Sequence, residues 1–305
     1  MISIITPYFN SARFLPETID SVLAQTCVDW EWLLVDDGSS DGSAEVVREA
    51  ARLEPRIRPL RHETNQGQAA ARNLALRHAS GGIIAFLDSD DLWTPGKLAS
   101  DVAVFDRHPA AVVTWSRLVL WTDATRPPAA EYPNLAPALG QPDGTLLEPP
   151  VLLEHVIANL YDFRWQYPAP SCLAIRREAL PLEGDLFDPA LRFYEDLAPL
   201  VYLLSRHPAV LSDEITTWHR RHADSFSAST GALAHEPAFQ DIADWLRRKT
   251  LVEPPQTSEA ILHALELAYR RRARFRRREH ALEFGRKVLP KGLRDWLWKR
   301  FGDLV

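Results

Sequence analysis

A regular alternation of short apolar runs and amphipathic segments over residues 2–115 restricts the fold of this chain more than any other feature. The apolar runs have the composition of buried β-strands, and helical patterns of about 10–14 residues lie between them. Strands joined in this way form right-handed βαβ units, so the sequence predicts an α/β domain with a mostly parallel sheet flanked by helices. The predicted strands are Ser3–Thr6, Trp32–Val35, Ile57–Leu60, Ile83–Leu87 and Val112–Trp115, and the predicted helices are Pro16–Gln25, Ser43–Leu53, Gln68–Ala79 and Thr94–Arg107.

Three carboxylates in four positions follow the fourth predicted strand. Asp88, Asp90 and Asp91 stand at the carboxyl end of a strand, where open α/β sheets bind their ligands. Because clustered carboxylates repel one another, they indicate a hard divalent cation, Mg²⁺ or Mn²⁺, that also contacts a phosphate. The alternative is an Asp-rich turn before a helix that Thr94 caps and Pro95 begins. Taken alone, these residues do not separate the two interpretations.

Two more polar clusters follow the first two predicted strands. The segment Thr6–Asn10 comes after the first strand, where a simple turn that begins a helix would also explain it. Asp36 and Asp37 come after the second strand and are followed by Gly38, which permits a tight backbone. Exposed acids can accept hydrogen bonds from a base or a ribose. A helix N-cap in this region explains one acid but not the adjacent pair.

A fourth cluster, Asn65–Asn73, opens the third predicted helix. Its small residues let the helix lie close to the sheet, and Arg72 has the fork geometry that binds a phosphate. The alternative is an Ala-rich packed helix with a solvated Arg72. The first strand is not followed by Gly-x-Gly-x-x-Gly, and there is no phosphate-loop lysine, so dinucleotide-binding and P-loop proteins are disfavoured.

The charge of the chain is unevenly distributed. The net charge is −6, but residues 241–305 alone carry +7, which leaves −13 on residues 1–240. An acidic body argues against nucleic acid as a partner. Cys27 and Cys172 match no metal spacing and no disulfide framework, which fits a reducing compartment. With neither a signal peptide nor an apolar run long enough to span a membrane, the sequence predicts a cytoplasmic protein.

Taken together, the four clusters resemble the motifs of glycosyltransferase family 2, which is inverting and has the GT-A fold. The resemblance covers roughly residues 1–225. It implies a nucleoside diphosphate sugar donor, with a UDP-sugar favoured, and a glycan or lipid-linked acceptor hydroxyl, as in bacterial surface polysaccharide synthesis. It implies a domain over 1–230, with a nucleotide-sugar-binding half (1–115) and an acceptor-binding half (116–230), followed by a basic helical region (231–305). The motifs are Pro7–Asn10, Val35–Gly42, Asn65–Asn73 and Phe86–Asp91.

The resemblance also implies roles for individual residues. The family's Asp-x-Asp motif corresponds to Asp88-Ser89-Asp90, with Asp90 as the ligand of Mn²⁺ or Mg²⁺ and Asp88 nearer the ribose and also near the metal. Arg72 matches a position that touches the nucleotide. The residues expected to bind the nucleotide sugar are Thr6, Pro7, Tyr8, Asn10, Asp36, Asp37, Arg72, Asp88, Ser89 and Asp90.

In the second half, Tyr194-Glu195-Asp196 is similar to the family's Glu-Asp motif, whose Asp acts as the catalytic base. We therefore expect Asp196 to be the base, with Glu195 as the second candidate. The alternative is a helix N-terminus that favours acids through its dipole. His222 is expected to contact the metal or the diphosphate, and His219 competes for this role.

The basic segment 270–301 places Trp and Leu beside Lys and Arg on a predicted helix. This pattern indicates an anionic membrane surface as a partner, which would make the protein peripheral at the inner face of the cell membrane. The alternative is an apolar stripe that packs on the domain or on another subunit. The Pro-rich segment Thr122–Pro150 excludes regular elements and is expected to help bind the acceptor.

Two other functional classes compete with a transferase. A non-catalytic nucleotide- or carbohydrate-binding subunit could have the same fold, although Asp88, Asp90 and Asp196 are all present. A sugar nucleotidyltransferase shares the α/β frame, but its Gly-rich basic loop after the first strand is missing here.

Overall fold

The computed structural model describes residues 1–122, 130–131, 144–149, 151–158, 169–182, 184–191, 195–223, 241–248, 255–268 and 270. Within these residues the strands form one ten-stranded sheet. The strands are β1 (Ile2–Tyr8), β2 (Trp30–Asp36), β3 (Ile57–Arg61), β4 (Ile83–Phe86), β5 (Leu92–Trp93), β6 (Val113–Trp121), β7 (Ala130–Glu131), β8 (Leu146–Leu147), β9 (Leu173–Arg176) and β10 (Ala209–Arg220).

Helices cover both faces of the sheet. Short 3₁₀ turns at Pro170–Cys172 and Arg177–Ala179 flank β9. The helices are α1 (Leu15–Leu23), α2 (Ser43–Leu53), α3 (Gln68–His78), α4 (Lys97–Arg107), α5 (Val151–Ala158), α6 (Leu197–Leu204), α7 (241–248) and α8 (255–268).

The sheet has a parallel half and a mixed half. Its order is β3-β2-β1-β4-β9-β6-β10-β5, with β7 beside β6 and β8 beside β10. The pairs among β1, β2, β3 and β4 are all parallel, whereas β9 runs antiparallel to both β4 and β6. The predicted α/β architecture is therefore confirmed, and the strands that precede the acidic motifs lie side by side with their carboxyl ends at one edge.

Side chains along each strand point alternately to the two faces of the sheet, and they build one hydrophobic core on each face. Ile5 belongs to the core under α3, α5, α6, α7 and α8, whereas Ile4 belongs to the core under α1, α2 and α4. Trp32 and Leu33 divide in the same way. This is what a strand buried on both sides of a parallel sheet requires, because successive side chains point to opposite faces.

Several predicted bounds need correction. Helix α4 begins at Lys97 after Gly96, so Thr94 does not cap it. A short strand that the sequence did not reveal, β5, lies between the acidic motif and α4 and pairs with β10. The sequence predicts two short strands, Val210–Leu211 and Ile215–Trp218, but both belong to one strand, β10, which has register shifts. The prolines of 122–150 do not exclude all regular structure, because β7 and β8 lie there.

Two further predictions are only partly covered by the described residues. The sequence predicts a helix over Phe193–Leu204, and the described helix α6 covers Leu197–Leu204. The basic segment 270–301 lies outside the described residues beyond position 270, so the proposed membrane surface stays a prediction. No helix in the described part of the chain is both long and apolar enough to cross a membrane.

Candidate active site

The carboxyl ends of three neighbouring parallel strands form the frame of the candidate site. Tyr8 at the end of β1 pairs in register with Asp36 at the end of β2, and Ile5 pairs with Phe86 at the end of β4. The backbone N–H of Leu87 continues this ladder by donating to the carbonyl of Ile5 at 3.0 Å. The four motifs of the first half are thereby brought to one edge of the sheet, as topology predicts.

Asn10 ties the loop after β1 to the loop after β2. Its backbone N–H donates to Ser39 Oγ at 3.0 Å, and its Oδ1 accepts from the N–H of Ser40 at 2.9 Å. Asn10 adopts a left-handed conformation with φ of 50°, which asparagine tolerates better than most residues. These two loops therefore form one continuous wall.

Gly38 allows the third loop to join this wall. Its φ is +83°, and a Cβ atom built there would lie 2.8 Å from the backbone nitrogen of Asn65. A side chain cannot fit without moving backbone. The loop after β2 and the loop before α3 are thus packed main chain to main chain.

The two acids of the second cluster have different environments. Asp36 Oδ1 accepts the N–H of Ser39 at 2.8 Å, whereas its buried Oδ2 has no hydrogen-bond partner among the described residues and lies 3.6 Å from Arg61 Nη1. Burial and the neighbouring Asp36 carboxylate raise the pKa of Tyr8. Asp36 therefore retains an acceptor at the base of the cleft, beside a phenol that stays neutral.

Both carboxylate oxygens of Asp37, in contrast, have partners within the protein. Its Oδ1 accepts the N–H of Gln66 at 3.0 Å and contacts His62 Nδ1 at 2.8 Å, and its Oδ2 accepts the N–H of Gly67 at 2.7 Å. These contacts fix the loop that leads into α3. Direct contact of Asp37 with a nucleoside stays a prediction, but its visible role is to shape the wall.

The first strand places its residues inside the sheet. Thr6 is fully buried, and its Oγ1 accepts a hydrogen bond from Trp32 Nε1 at 2.9 Å. Pro7 and Tyr8 are also buried in β1. A direct contact of Thr6 or Pro7 with a ligand stays a prediction, since β1 is an interior strand with β2 and β4 on either side.

The three acids after β4 divide into one structural and two available carboxylates. Asp91 is completely buried and accepts from Ser171 Oγ at 2.6 Å, from the N–H of Arg220 at 3.0 Å, and contacts His219 Nδ1 at 3.1 Å. Asp88 and Asp90 are about one-quarter exposed. The repulsion in the cluster is thus relieved at Asp91 by donors from two separate segments, the turn before β9 and the end of β10.

Asp90 and Ser89 connect the acidic motif to neighbouring elements. Asp90 Oδ2 contacts His222 Nε2 at 3.0 Å. Ser89 is buried, with its Oγ 2.9 Å from that of Ser11, while Thr18 Oγ1 of α1 lies 2.9 Å from the Ser89 carbonyl. The motif is therefore anchored through Ser89, and Asp90 remains at the surface of the cleft.

Arg72 is buried and not solvated, contrary to the alternative interpretation of this helix, and its contact with a nucleotide stays a prediction. It is 1% exposed, and its guanidinium donates to Asp88 Oδ1 at 2.6 Å, to Gln68 Oε1 at 2.9 Å and to Glu195 Oε1 at 3.3 Å. Burial alone would lower the pKa of Arg72, but the two carboxylates outweigh it and raise that pKa. The arginine therefore joins the acidic motif of the first half to the Glu-Asp motif of the second.

Asp196 lies at the N-cap position of α6, next to Glu195 in the preceding turn. Burial, and then the charge of Glu195, raise the pKa of Asp196 to about 8, against the opposing effect of Arg72. A carboxyl with a pKa near the working pH is suited to take up a proton from a hydroxyl. Asp196 makes no side-chain cap hydrogen bond to α6, and the dipole of the helix N-terminus remains the alternative reason for an acid here.

The two histidines of β10 and its C-terminal end face different acids. His222 packs on the Phe14 ring, with centroids 4.2 Å apart, and faces Asp90. His219 faces the structural Asp91, and that charge, outweighing burial, raises the pKa of His219 to about 9. Of the two, His222 is therefore the histidine placed beside the predicted metal ligand.

Some residues of the site were not found from the sequence. Ser171 donates to Asp91 and accepts the N–H of Asp88 at 3.0 Å, and Arg220 donates from Nε to the carbonyl of Asp90 at 3.0 Å. Both approach the acidic motif from distant parts of the chain. A single serine or arginine outside a motif carries no local signal of such a contact.

The donor set fits a hard divalent cation that is shared with a substrate. No group of three metal-binding side chains is assembled within the described residues. Mg²⁺ and Mn²⁺ sites of transferases, however, often use one or two carboxylates and complete the shell with phosphate and water. The partly exposed oxygens of Asp88 and Asp90 match that requirement.

The sequence matches the family model of glycosyl transferase family 2 over residues 3–180, which is more than half of the chain. The chain belongs to this family. The match contains all four motifs of the first half and reaches the 3₁₀ turn after β9.

Curated relatives resemble parts of the chain. An uncharacterized glycosyltransferase of Nostoc sp. is 37% identical over 182 residues, which are 59% of this chain and 52% of the relative. The UDP-Glc:alpha-D-GlcNAc-diphosphoundecaprenol beta-1,3-glucosyltransferase WfgD of Escherichia coli is 44% identical over 104 residues, covering 34% of this chain and 40% of that protein. The matched regions thus span about half or less of these relatives.

Solved structures share the fold. S. aureus TarS 1-349 in complex with UDP has a TM-score of 0.66 at 20% identity, covering 97% of this chain and 78% of that one. The mannosyltransferase PcManGT from Pyrobaculum calidifontis, in complex with GDP-Man and Mn²⁺, has a TM-score of 0.57 at 18% identity, covering 97% and 82%. These likenesses confirm the predicted GT-A architecture.

Proposed function

We propose that this chain is an inverting glycosyltransferase that moves a sugar from a UDP-sugar to a hydroxyl group of a glycan or lipid-linked acceptor. One observation carries the proposal. Arg72 contacts both Asp88 and Glu195, so the acids expected to hold the donor and the acids expected to activate the acceptor lie around one cleft. One buried guanidinium contacts a carboxylate of each cluster, so the two acidic clusters lie next to each other.

The donor would lie along the edge formed by the ends of β1, β2 and β4. The Oδ2 of Asp36 lies 3.6 Å from Arg61 Nη1 but makes no hydrogen bond within the described residues, so it is suited to accept one from the base or the ribose. Tyr8 and Asn10 form the adjacent wall. The exposed oxygens of Asp88 and Asp90 would hold Mn²⁺ or Mg²⁺ together with the diphosphate. The metal, when bound, neutralises the charge that develops on the departing diphosphate.

The acceptor hydroxyl would be activated by Asp196. In a single displacement, its carboxylate removes the hydroxyl proton while the acceptor oxygen attacks the sugar carbon from the face opposite the diphosphate. One C–O bond forms as the other breaks, the proton stays on Asp196, and the configuration inverts. Glu195, held by Arg72, is the second candidate for this role.

The choice of donor and acceptor rests on the relatives. The name of the E. coli relative specifies UDP-Glc and a diphosphoundecaprenol-linked sugar, and TarS has been solved with UDP and with UDP-GlcNAc. We extend this to the present chain as a UDP-sugar donor and a lipid-linked or glycan acceptor in bacterial polysaccharide synthesis. Attachment through 270–301 to an anionic membrane surface would bring the cytoplasmic enzyme to such an acceptor.

Calorimetric titration with UDP, GDP and dTDP, each with and without Mn²⁺, tests the proposal. We expect UDP to bind only with Mn²⁺, and Asp90→Ala to remove that binding. Asp106→Ala, at an exposed acid on α4, is the matched control and should bind as the wild type does. If no nucleotide binds under any condition, the donor site is wrong. If UDP binds but no sugar is released to water or any acceptor, the chain is a binding subunit instead.

A further inference from the structure

Helix α3 makes two polar contacts with the second half of the chain. Besides the Arg72–Glu195 pair, the buried side chain of Asn73 donates from Nδ2 to the carbonyl of Phe187 at 2.8 Å and accepts the N–H of Phe187 on Oδ1 at 3.1 Å. One amide thus satisfies both backbone groups of one residue. Such a two-point contact fixes the position of a segment that belongs to no helix or strand.

The Phe187 side chain continues the contact towards the site. Its ring lies 5.4 Å from the ring of Phe86 at the end of β4, in an edge-to-face arrangement. The Arg72 guanidinium lies 5.4 Å from the same ring. The segment that leads to Glu195 is therefore packed against the strand that leads to Asp88.

Arg72 connects the two acidic residues to which the Phe187 segment and β4 lead. Its rigid fork can reach Asp88 at 2.6 Å and Glu195 at 3.3 Å only while the two carboxylates keep a fixed separation. Because the guanidinium is 1% exposed, water cannot easily replace a lost partner. Movement of the turn that carries Glu195 and Asp196 is thereby penalised.

We propose that Arg72 and Asn73 are positioning residues that hold the turn Glu195-Asp196 at a fixed distance from Asp88, so that α3 sets the spacing between donor and acceptor chemistry. The chemical meaning of that spacing rests on the proposed function, whereas the contacts themselves do not. In this role Arg72 acts through the two carboxylates it pairs.

Asn73 separates this role from donor binding. Its contacts in the described structure are with Phe187 and not with the acidic motif. A shift of about 1 Å in a catalytic group can reduce turnover about 10²-fold. Loss of the Asn73 amide should therefore lower turnover and leave donor affinity unchanged, a split that general destabilisation would not produce.

Two measurements on Asn73→Ala and Arg72→Lys test the proposal, with Arg77→Ala as the control. Arg77 lies on the same helix and forms an exposed ion pair with Asp185, which should contribute little. Hydrogen exchange is followed over residues 185–200 and 84–92. The Kd of UDP with Mn²⁺ and the kcat for sugar release from the donor to water are measured in parallel.

For Asn73→Ala we expect at least tenfold faster exchange over 185–200, unchanged exchange over 84–92, at least tenfold lower kcat, and a Kd within twofold of wild type. Arg72→Lys lacks the planar guanidinium fork that spans the two carboxylates, so it should affect both regions. Arg77→Ala should match the wild type. If Asn73→Ala does not fold, Asn73→Ser, which is uncharged and shorter, should show the same pattern with smaller changes.

The proposal is overturned if Asn73→Ala leaves both exchange over 185–200 and kcat at the wild-type level, or if it weakens UDP binding without lowering kcat. If the wild type binds no nucleotide, the proposed function fails. The exchange experiment still decides in that case whether α3 holds the turn, so the two failures are distinguishable.

Discussion

The carboxylate of Asp91 accepts a 2.6 Å hydrogen bond from Ser171 Oγ, although the two residues are 80 positions apart. Ser171 precedes β9, which enters the sheet antiparallel to β4, and the same hydroxyl accepts the N–H of Asp88. One serine of the second half therefore orients both ends of the acidic motif. This pairing makes Asp91 part of the scaffold, whereas Asp88 and Asp90 stay about one-quarter exposed.

Asp91→Ala should consequently destabilise the fold far more than Asp90→Ala does. Asp91→Ala removes the acceptor shared by the buried Ser171 and Arg220 and by the partly exposed His219, so we expect the free energy of unfolding to fall by about 3 kcal/mol or more. Asp90→Ala loses a partly exposed carboxylate and should change that free energy by less than about 1 kcal/mol. Urea unfolding measures both. Equal destabilisation by the two variants would contradict the division.

Glu31 should make stability depend on pH in the acid range. Burial would raise its pKa, but hydrogen bonds from Ser3, Ser80 and Arg58 outweigh this and lower it to about 2. An acid whose pKa is lowered on folding stabilises the protein fully above its unfolded pKa of about 4.5, and this contribution is lost as the pH falls towards 2.

We therefore expect Glu31→Gln to lower the free energy of unfolding by about 3 kcal/mol at pH 7, with the difference from wild type shrinking as the pH is lowered towards 3. Urea unfolding at several pH values measures this. Glu45→Gln, at an exposed acid on α2, is the control and should show a small effect at every pH. A Glu31 effect independent of pH would contradict the assignment.

As the pH rises, ionisation of Asp196 should increase activity and decrease stability. Because burial and Glu195 raise its pKa to about 8, the ionised base form becomes predominant only above that pH. We expect the kcat of the wild type to rise with pH through about 8. Asp196→Asn should be inactive at every pH. A pH–rate profile checks this, and a profile that is flat between pH 6 and 9 would exclude Asp196 as the titrating base.

The same raised pKa predicts a stability change. An acid that binds its proton more tightly in the folded state destabilises that state as the pH rises from about 4 to about 8. Asp196→Asn removes this penalty, so at pH 8 it should unfold at a higher temperature than the wild type. Its free energy of unfolding at that pH should be larger by at least about 1 kcal/mol. Thermal unfolding at pH 8 and pH 4 measures it, and the gain should disappear at the lower pH.

Gly38→Ala should damage the wall of the donor cleft. The new Cβ atom meets the Asn65 backbone nitrogen at 2.8 Å and also requires a left-handed conformation, which costs about 1–2 kcal/mol by itself. Gly42→Ala is the matched control, since its φ is +93° but no atom lies within 4 Å of the new Cβ. We expect Gly38→Ala to be the more destabilising and to weaken UDP binding at least fivefold. Equal destabilisation by Gly38→Ala and Gly42→Ala would show that the left-handed backbone conformation accounts for the loss and that the close contact with Asn65 does not.

The first half of the fold followed from local patterns because parallel strands buried on both faces are strongly apolar. Ser43–Leu53 was predicted with the bounds that α2 has, and Gln68–Ala79 with those of α3 to within one residue. The mixed half was less predictable. The register shifts that merge two short runs into β10 are fixed by pairing with β6, which no local pattern reports.

The sequence by itself determined which residue types stand at the ends of the strands, because the order of strands and helices sends Asp36, Asp88 and Asp90 to one edge of a parallel sheet. Only the tertiary structure decided what each of them does. Asp37 and Asp91 are engaged by backbone and side-chain donors from distant loops, and Arg72 is enclosed between Asp88 and Glu195. Burial and long-range partners distinguish one aspartate from the next, and both arise only when separate segments of the chain pack together.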